Sequence, residues 1–151
     1  MEMSTTTEQE RQNRESFIRV AEELWNKRNY DVVDEEYDPL VEAHAFSEPD
    51  GVVGTEAMKA WAKKYHDAFS DFHIEVFDVK AKDEFVYGRY RLTGTHDGTL
   101  RREGGDDIPA THRDVETWGL VEARYEGGLC IEEWNSTDIM TMLSQLGVVP
   151  E

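Results

Sequence analysis

The hydrophobic period of this chain changes once, near Asp71, and that change confines it to one broad class of fold. Before that point apolar residues recur at helical spacing; after it they alternate. Thr7 followed by Glu10 reads as a capping box, in which a hydroxyl and a carboxylate satisfy free amides at a helix start. Behind it Phe17, Val20, Ala21, Leu24 and Trp25 share one face, which predicts an amphipathic helix to about Arg28. Asp31 is placed to cap a short second helix through Tyr37, stopped by Pro39. Leu40 to Phe46 reads as a short extended segment, and Pro49-Asp50-Gly51 as a turn. Thr55 is placed to cap a third helix, with Met58, Trp61, Ala62, Tyr65 and Phe69 as a core stripe.

Four strands are expected beyond Asp71: His73 to Ala81, Glu84 to Thr95, Thr111 to Tyr125 and Leu129 to Ser136, rich in β-branched and aromatic residues. Asp83 and Gly127–Gly128 mark tight hairpins, and His96 to Ala110 is a long polar loop. Asp138 caps a last short helix that Gly147 ends. Helices followed by a run of strands make an α+β fold, with helices laid on one face of a mostly antiparallel sheet. Residues 1–6 are expected to be disordered, and 7–151 to form a single domain, which suits a chain of 151 residues.

Alternation assigns faces. Val115, Thr117, Gly119, Val121, Ala123 and Tyr125 form the inward set of their strand, opposite Asp114, Glu116, Glu122 and Arg124. Trp118 and Leu120 fall on the polar side, and a large apolar pair there marks a subunit contact. In the preceding strand Val86, Gly88, Tyr90 and Leu92 are the apolar set, and Gly88 allows close packing or a bend.

Sixteen basic against 33 acidic residues give a net charge of −17, which repels nucleic acid and anionic membranes. No nucleic-acid or membrane partner is expected, since the basic doublets Lys63–Lys64 and Arg101–Arg102 both have acids nearby. Nor does any apolar run approach the roughly 18 residues of a membrane span. The first ten residues hold three Thr and three Glu, unlike a signal peptide, and Cys130 is the sole cysteine. A cytoplasmic protein is the simplest reading. Dispersed acid is the surface of a halophile or of an ordinary acidic soluble protein; the excess exceeds the ~2–8 charges that solubility needs and favours the halophile.

No phosphate loop, dinucleotide loop, nucleophile elbow or close histidine pair is present, so no metal and no cofactor are expected. Cys130 lies mid-strand and reads as a buried structural thiol. What remains is acid–base work on a small molecule, or simple binding of one.

Four segments carry a resemblance. Glu22-Glu23-Leu24-Trp25-Asn26-Lys27-Arg28-Asn29-Tyr30-Asp31 is similar to the opening helix of the SnoaL-like polyketide cyclases, or ester cyclases. Ala68 to Val76, Leu92 to Gly98 and Gly128 to Asp138 continue the likeness in order, so it runs from about Arg14 to Gly147. The resemblance implies a nuclear transport factor 2-like fold: a cone-shaped, strongly curved, mostly antiparallel sheet on three N-terminal helices, with a short C-terminal helix. It also implies a pocket between sheet and helices, a homodimer, and ring closure by an aldol step without metal or cofactor. The family's acid–base pair is an Asp just after the tail Trp and a His on the preceding long strand. Here those positions hold Asn135 and Val121, neither of which exchanges a proton near neutral pH.

Other groups fall on pocket positions. His44 matches a His common in the family's first extended segment, and is either a pocket group or a hydrogen-bonded structural one. Glu133 shares parity with Asn135 and Ile131, and is either an inward carboxylate with a raised pKa or a rim residue. Glu133 and His44 are the expected catalytic residues. Tyr90, Asn135 and Val121 are expected to meet the substrate, with Tyr90 and Asn135 able to donate to a carbonyl or enolate oxygen. His96 and His112 read as solvated loop residues. The expected partner is a small hydrophobic or aromatic molecule. Its handler is either a cyclase-, isomerase- or hydratase-type enzyme, the favoured reading, or a non-catalytic binding protein of the same fold.

Overall fold

The capping box forms as the sequence predicts. Thr7 accepts from the Glu10 amide at 3.1 Å, and Glu10 accepts from the Thr7 amide at 2.8 Å. The other Glu10 oxygen accepts from the Asp83 amide at 2.6 Å, so the same carboxylate pins the helix start to a distant hairpin. The computed structural model describes residues 7–103 and 105–148. Residues 1–6, expected to be disordered, and the last three residues of the expected domain lie outside the described residues.

Helix α1 spans Glu8–Val20 and runs on into a π-helical turn at Ala21–Asn26, which the periodicity did not anticipate. The wider turn ends with the Lys27 amide on the Glu22 carbonyl and the Asn29 amide on the Glu23 carbonyl. It aims the Asn26 side chain at Ile74, where one amide group both donates (2.9 Å) and accepts (2.8 Å). The freed Trp25 carbonyl accepts from His66 Nε2 at 2.8 Å, which leaves Nδ1 to accept from the Tyr30 hydroxyl at 2.7 Å. His66 is therefore a buried staple, and burial holds its pKa below the usual value.

Helix α2, Val32–Glu36, ends before Tyr37, which is already extended in strand β1, Tyr37–Ala45. Pro39 lies inside that strand, its missing amide proton absent from the ladder. Asp31 and Thr55 occupy helix starts without side-chain caps, and Gly54 stands at the cap position of α3, Thr55–Ala68. Pro49-Asp50-Gly51 is not a turn. It lies within β2, Glu48–Val53, and the chain reverses at Phe46–Ser47. An edge strand tolerates a proline because one side of its ladder is unpaired.

The four predicted strands are present as β3 (His73–Lys82), β4 (Phe85–Thr95), β5 (Asp114–Glu126) and β6 (Leu129–Thr137). Helix α4, Ile139–Gln145, follows Asp138, whose carboxylate accepts from the Thr141 amide at 3.0 Å. The sheet order is β2-β1-β6-β5-β4-β3, antiparallel except where β1 meets β6. This is the expected α+β architecture: one curved, mostly antiparallel sheet with the N-terminal helices on its inner face. A Cβ on Gly88 would lie 2.8 Å from the Phe17 ring, so this glycine lets α1 seat directly on β4. No helix among the described residues is long and apolar enough to cross a membrane.

His96 corrects the sequence reading: it is fully buried, with Nδ1 accepting from the Thr111 hydroxyl at 2.9 Å and amide at 3.2 Å. Its loop is pinned where Leu100 and Ile108 exchange backbone hydrogen bonds at 2.9 Å. His112 is exposed, as expected.

Candidate functional site

A cavity lies between the inner face of the sheet and the helices. The space in which a water molecule's centre can move there is about 70 Å³. Its wall is largely apolar: Phe17 from α1, Trp25 from the π-helical turn, Trp61 and Tyr65 from α3, and Ile139 and Met142 at α4. Polar groups enter it chiefly from the sheet. Glu133, Asn135 and Thr137 come from alternate positions of β6, Tyr90 from β4 and Tyr125 from β5, with the apolar Val121 of β5 beside them. Ile131 leaves the inward set. A bulge there makes Arg124 face Glu132 and Tyr125 face Cys130, so Cys130 turns inward instead.

Glu133 is 7% exposed and accepts from the Tyr37 hydroxyl at 3.0 Å through Oε1. Burial raises its carboxyl from the ordinary 4.5 to about 7, opposed only in part by that hydrogen bond. It is thus poised to hold or release a proton near neutrality. Tyr37, Tyr90 and Tyr125 are held well into their protonated forms by burial, and so is the Cys130 thiol.

A second polar group stands nearby. The Tyr90 hydroxyl donates to Asn135 Oδ1 at 2.8 Å and contacts the Thr137 hydroxyl, which itself lies 3.2 Å from Asn135 Oδ1. The amide nitrogen of Asn135 makes no hydrogen bond among the described residues. Val121 faces Asn135 directly across the β5–β6 ladder. Four of the five expected site residues therefore line this cavity: Glu133, Tyr90, Asn135 and Val121.

His44 does not line this cavity. Ala43 pairs with Glu133 and His44 with Trp134, so one residue of register puts His44 on the outer face of the sheet. There its side chain is 47% exposed, with Nε2 2.8 Å from Glu132 Oε2 and its ring stacked on Trp134 at 5.7 Å. The hydrogen-bonded structural alternative describes this position. Glu42, His44 and Glu132 bring three ligand atoms within 4.8 Å of one another, a set that could hold a metal ion. An exposed histidine–carboxylate pair beside a second carboxylate accounts for the grouping.

Sequence reasoning missed Tyr37, Thr137, Trp61 and Tyr65 as site groups. Tyr37 was assigned to a helix and the two α3 aromatics to the core, which they also serve. Thr137 was legible: it continues the Glu133–Asn135 parity by one step.

The chain matches the family model described as SnoaL-like polyketide cyclase over residues 15–146. No curated protein matches it. Among solved structures it resembles a protein from Jannaschia sp. CCS1 described as a SnoaL-like polyketide cyclase, at 23% identity and a TM-score of 0.86, over 98% of this chain and 100% of that one. IdmH of Streptomyces antibioticus, a candidate polyketide cyclase, gives 24% identity and 0.73 over 91% and 99%. A protein of ketosteroid isomerase-like fold from Catenulispora acidiphila, in complex with trimethylamine, gives 12% and 0.71 over 90% and 94%.

Proposed function

The chain belongs to the SnoaL-like polyketide cyclase family, and we propose that it performs cofactor-free proton transfer beside a carbonyl of a small hydrophobic substrate, with Glu133 as the base. The observation that carries this reading is a buried carboxyl, in a largely apolar cavity, whose pKa is raised to about 7. A base works best when its pKa lies near the ambient pH. Glu133 takes the proton from the carbon next to the carbonyl, and the electron pair moves onto oxygen. The enolate oxygen then accepts from the Asn135 amide nitrogen, whose side chain the Tyr90 hydroxyl holds through Oδ1. Return of the proton from Glu133, or attack of the enolate carbon on a second carbonyl, completes isomerisation or ring closure. Tyr37 holds the carboxyl in place.

Asn135 and Val121 stand where the family's Asp and His are expected, and this pair favours a second reading, a non-catalytic small-molecule binder. Exchange separates the two. The protein should transfer deuterium from D2O into the methyl group of acetophenone, at a rate that rises with pH and levels above about 7 as Glu133 ionises. Absence of protein-dependent exchange at any pH leaves only the binder.

The same reading extends to assembly and surroundings. Trp118 is 44% exposed and Leu120 61%, on the outer face of β5, and the Arg89 guanidinium lies 5.4 Å from the Trp118 ring and 5.6 Å from that of Phe77. A symmetric dimer through this face is expected. Light scattering in molar salt should give twice the chain mass, and Trp118→Lys should halve it; a monomer unaffected by that change would sink the dimer. The −17 charge fits a cytoplasm of high salt. Melting temperature should climb steeply from low to molar KCl, as the Debye length shrinks from roughly 10 to 3 Å. A flat profile would count against a halophile.

A further inference from the structure

We infer that the ligand class of the Glu133 cavity is a small alkylated ammonium: a cationic nitrogen bearing apolar arms, seated against the Glu133 carboxylate and the surrounding ring faces. The inference rests on the reading of this cavity as the ligand site.

Three observations carry it. Glu133 is a carboxyl without a counter-charge in the cavity: no Lys, Arg or His is among the described residues that line it. Its Oε1 is taken by Tyr37, while Oε2 has no hydrogen-bond partner among the described residues. The titratable groups near it are Tyr37 of β1, Tyr90 of β4, Tyr125 of β5 and Cys130 of its own strand β6, all held in their neutral forms by burial. An ionised carboxylate in such a place is stabilised most by a cation brought in by the ligand.

The walls then choose the kind of cation. Trp25 and Trp61 stand edge to face, 5.2 Å apart at 85°, so two ring planes meet at right angles in one wall. Tyr65 lies 6.4 Å from Trp25 at 61°. Aromatic faces attract cations, and more so where water is excluded. They offer few acceptors, however, so a primary ammonium or a metal ion would lose hydration that this cavity cannot replace. An alkylated ammonium is weakly hydrated, and its methyl groups suit the apolar wall. A net charge of −17 attracts cations from solution.

Choline and its uncharged isostere 3,3-dimethylbutan-1-ol separate shape from charge. Titration calorimetry of the full-length protein at pH 8 should show choline binding at least about tenfold tighter than the alcohol. Glu133→Gln should remove that preference while leaving binding of the alcohol within a few fold. In the wild-type protein the preference should fade from pH 8 to pH 5 as Glu133 takes up its proton, a check that needs no variant. Equal binding of the two probes overturns the inference, as does a preference that survives both Glu133→Gln and pH 5. Binding of neither overturns it as well, while deuterium exchange into acetophenone decides the acid–base reading independently.

Discussion

Glu133→Gln is expected to abolish most proton exchange and, at the same time, to make the protein more stable at pH 8. A single positioned base contributes about 10²–10⁴-fold to rate, so exchange should fall by that factor. The stability gain follows from linkage. The carboxyl has a pKa of 4.5 when solvated and about 7 when folded. Below pH 4.5 both states hold the proton, and Glu133 costs nothing through ionisation. Between 4.5 and 7 the unfolded chain releases its proton while the folded chain keeps it, so stability drains away as pH rises. Above 7 the deficit is complete, at about 3 kcal/mol. Glutamine never ionises, and its carbonyl can still accept from Tyr37. Urea denaturation of the two proteins should therefore give similar stabilities near pH 4 and diverge by about 3 kcal/mol at pH 8. A variant no more stable than wild type at pH 8 would show that Glu133 is not held in a desolvated place. Loss of exchange together with a gain in stability is the signature of a functional residue, which a purely structural glutamate does not give.

Gly119→Ala should cost about 3 kcal/mol, near the upper end for overpacking a core. Gly119 pairs with Tyr90 across the β4–β5 ladder, and the hydroxyl end of the phenol lies over it. A Cβ there would stand 2.3 Å from Tyr90 Cζ and 2.4 Å from its hydroxyl oxygen. The ring is buried and bonded to Asn135 and Thr137, so it cannot swing aside without breaking those contacts. The methyl group thus damages the oxygen-binding side of the cavity as well as the core. Chemical denaturation in the Tyr90→Ala background isolates the cause: there the same substitution should cost under about 1 kcal/mol. A cost that persists without the ring would place the strain in the β5 backbone instead.

Much of this site was legible because β-strand alternation is a local rule. Val115 to Tyr125 reads inward at odd positions, and the structure buries Val115, Thr117, Ala123 and Tyr125 with Val121 on the cavity wall. The same rule turned Glu133 and Asn135 inward. It failed at Ile131, where a bulge resets the phase, because an extra residue in one strand is a matter of pairing with its neighbour. It was also of little use for His44. Leu40 and Phe46 share parity with His44 and are apolar, yet they are 79% and 78% exposed. The polarity of β1 therefore pointed both ways, and only Val41 and Ala43, both buried, marked the true inner face.

The sequence by itself determined the helices α1, α3 and α4, the strands β3 to β6, their order, the inward faces of β4 and β5, and the two tight hairpins. These depend on neighbours a few residues apart, through backbone sterics and the periods of helix and strand. Only the tertiary structure decided that β1 runs parallel beside β6, that β2 is a strand at the edge, and that the first helix widens into a π-helical turn. The parallel pairing sets Ala43 opposite Glu133 and thereby sends His44 outward. It also lets Tyr37 reach a carboxylate 96 residues away. Such contacts leave no periodic trace in the chain, because they are fixed by which strands share a ladder and in what register.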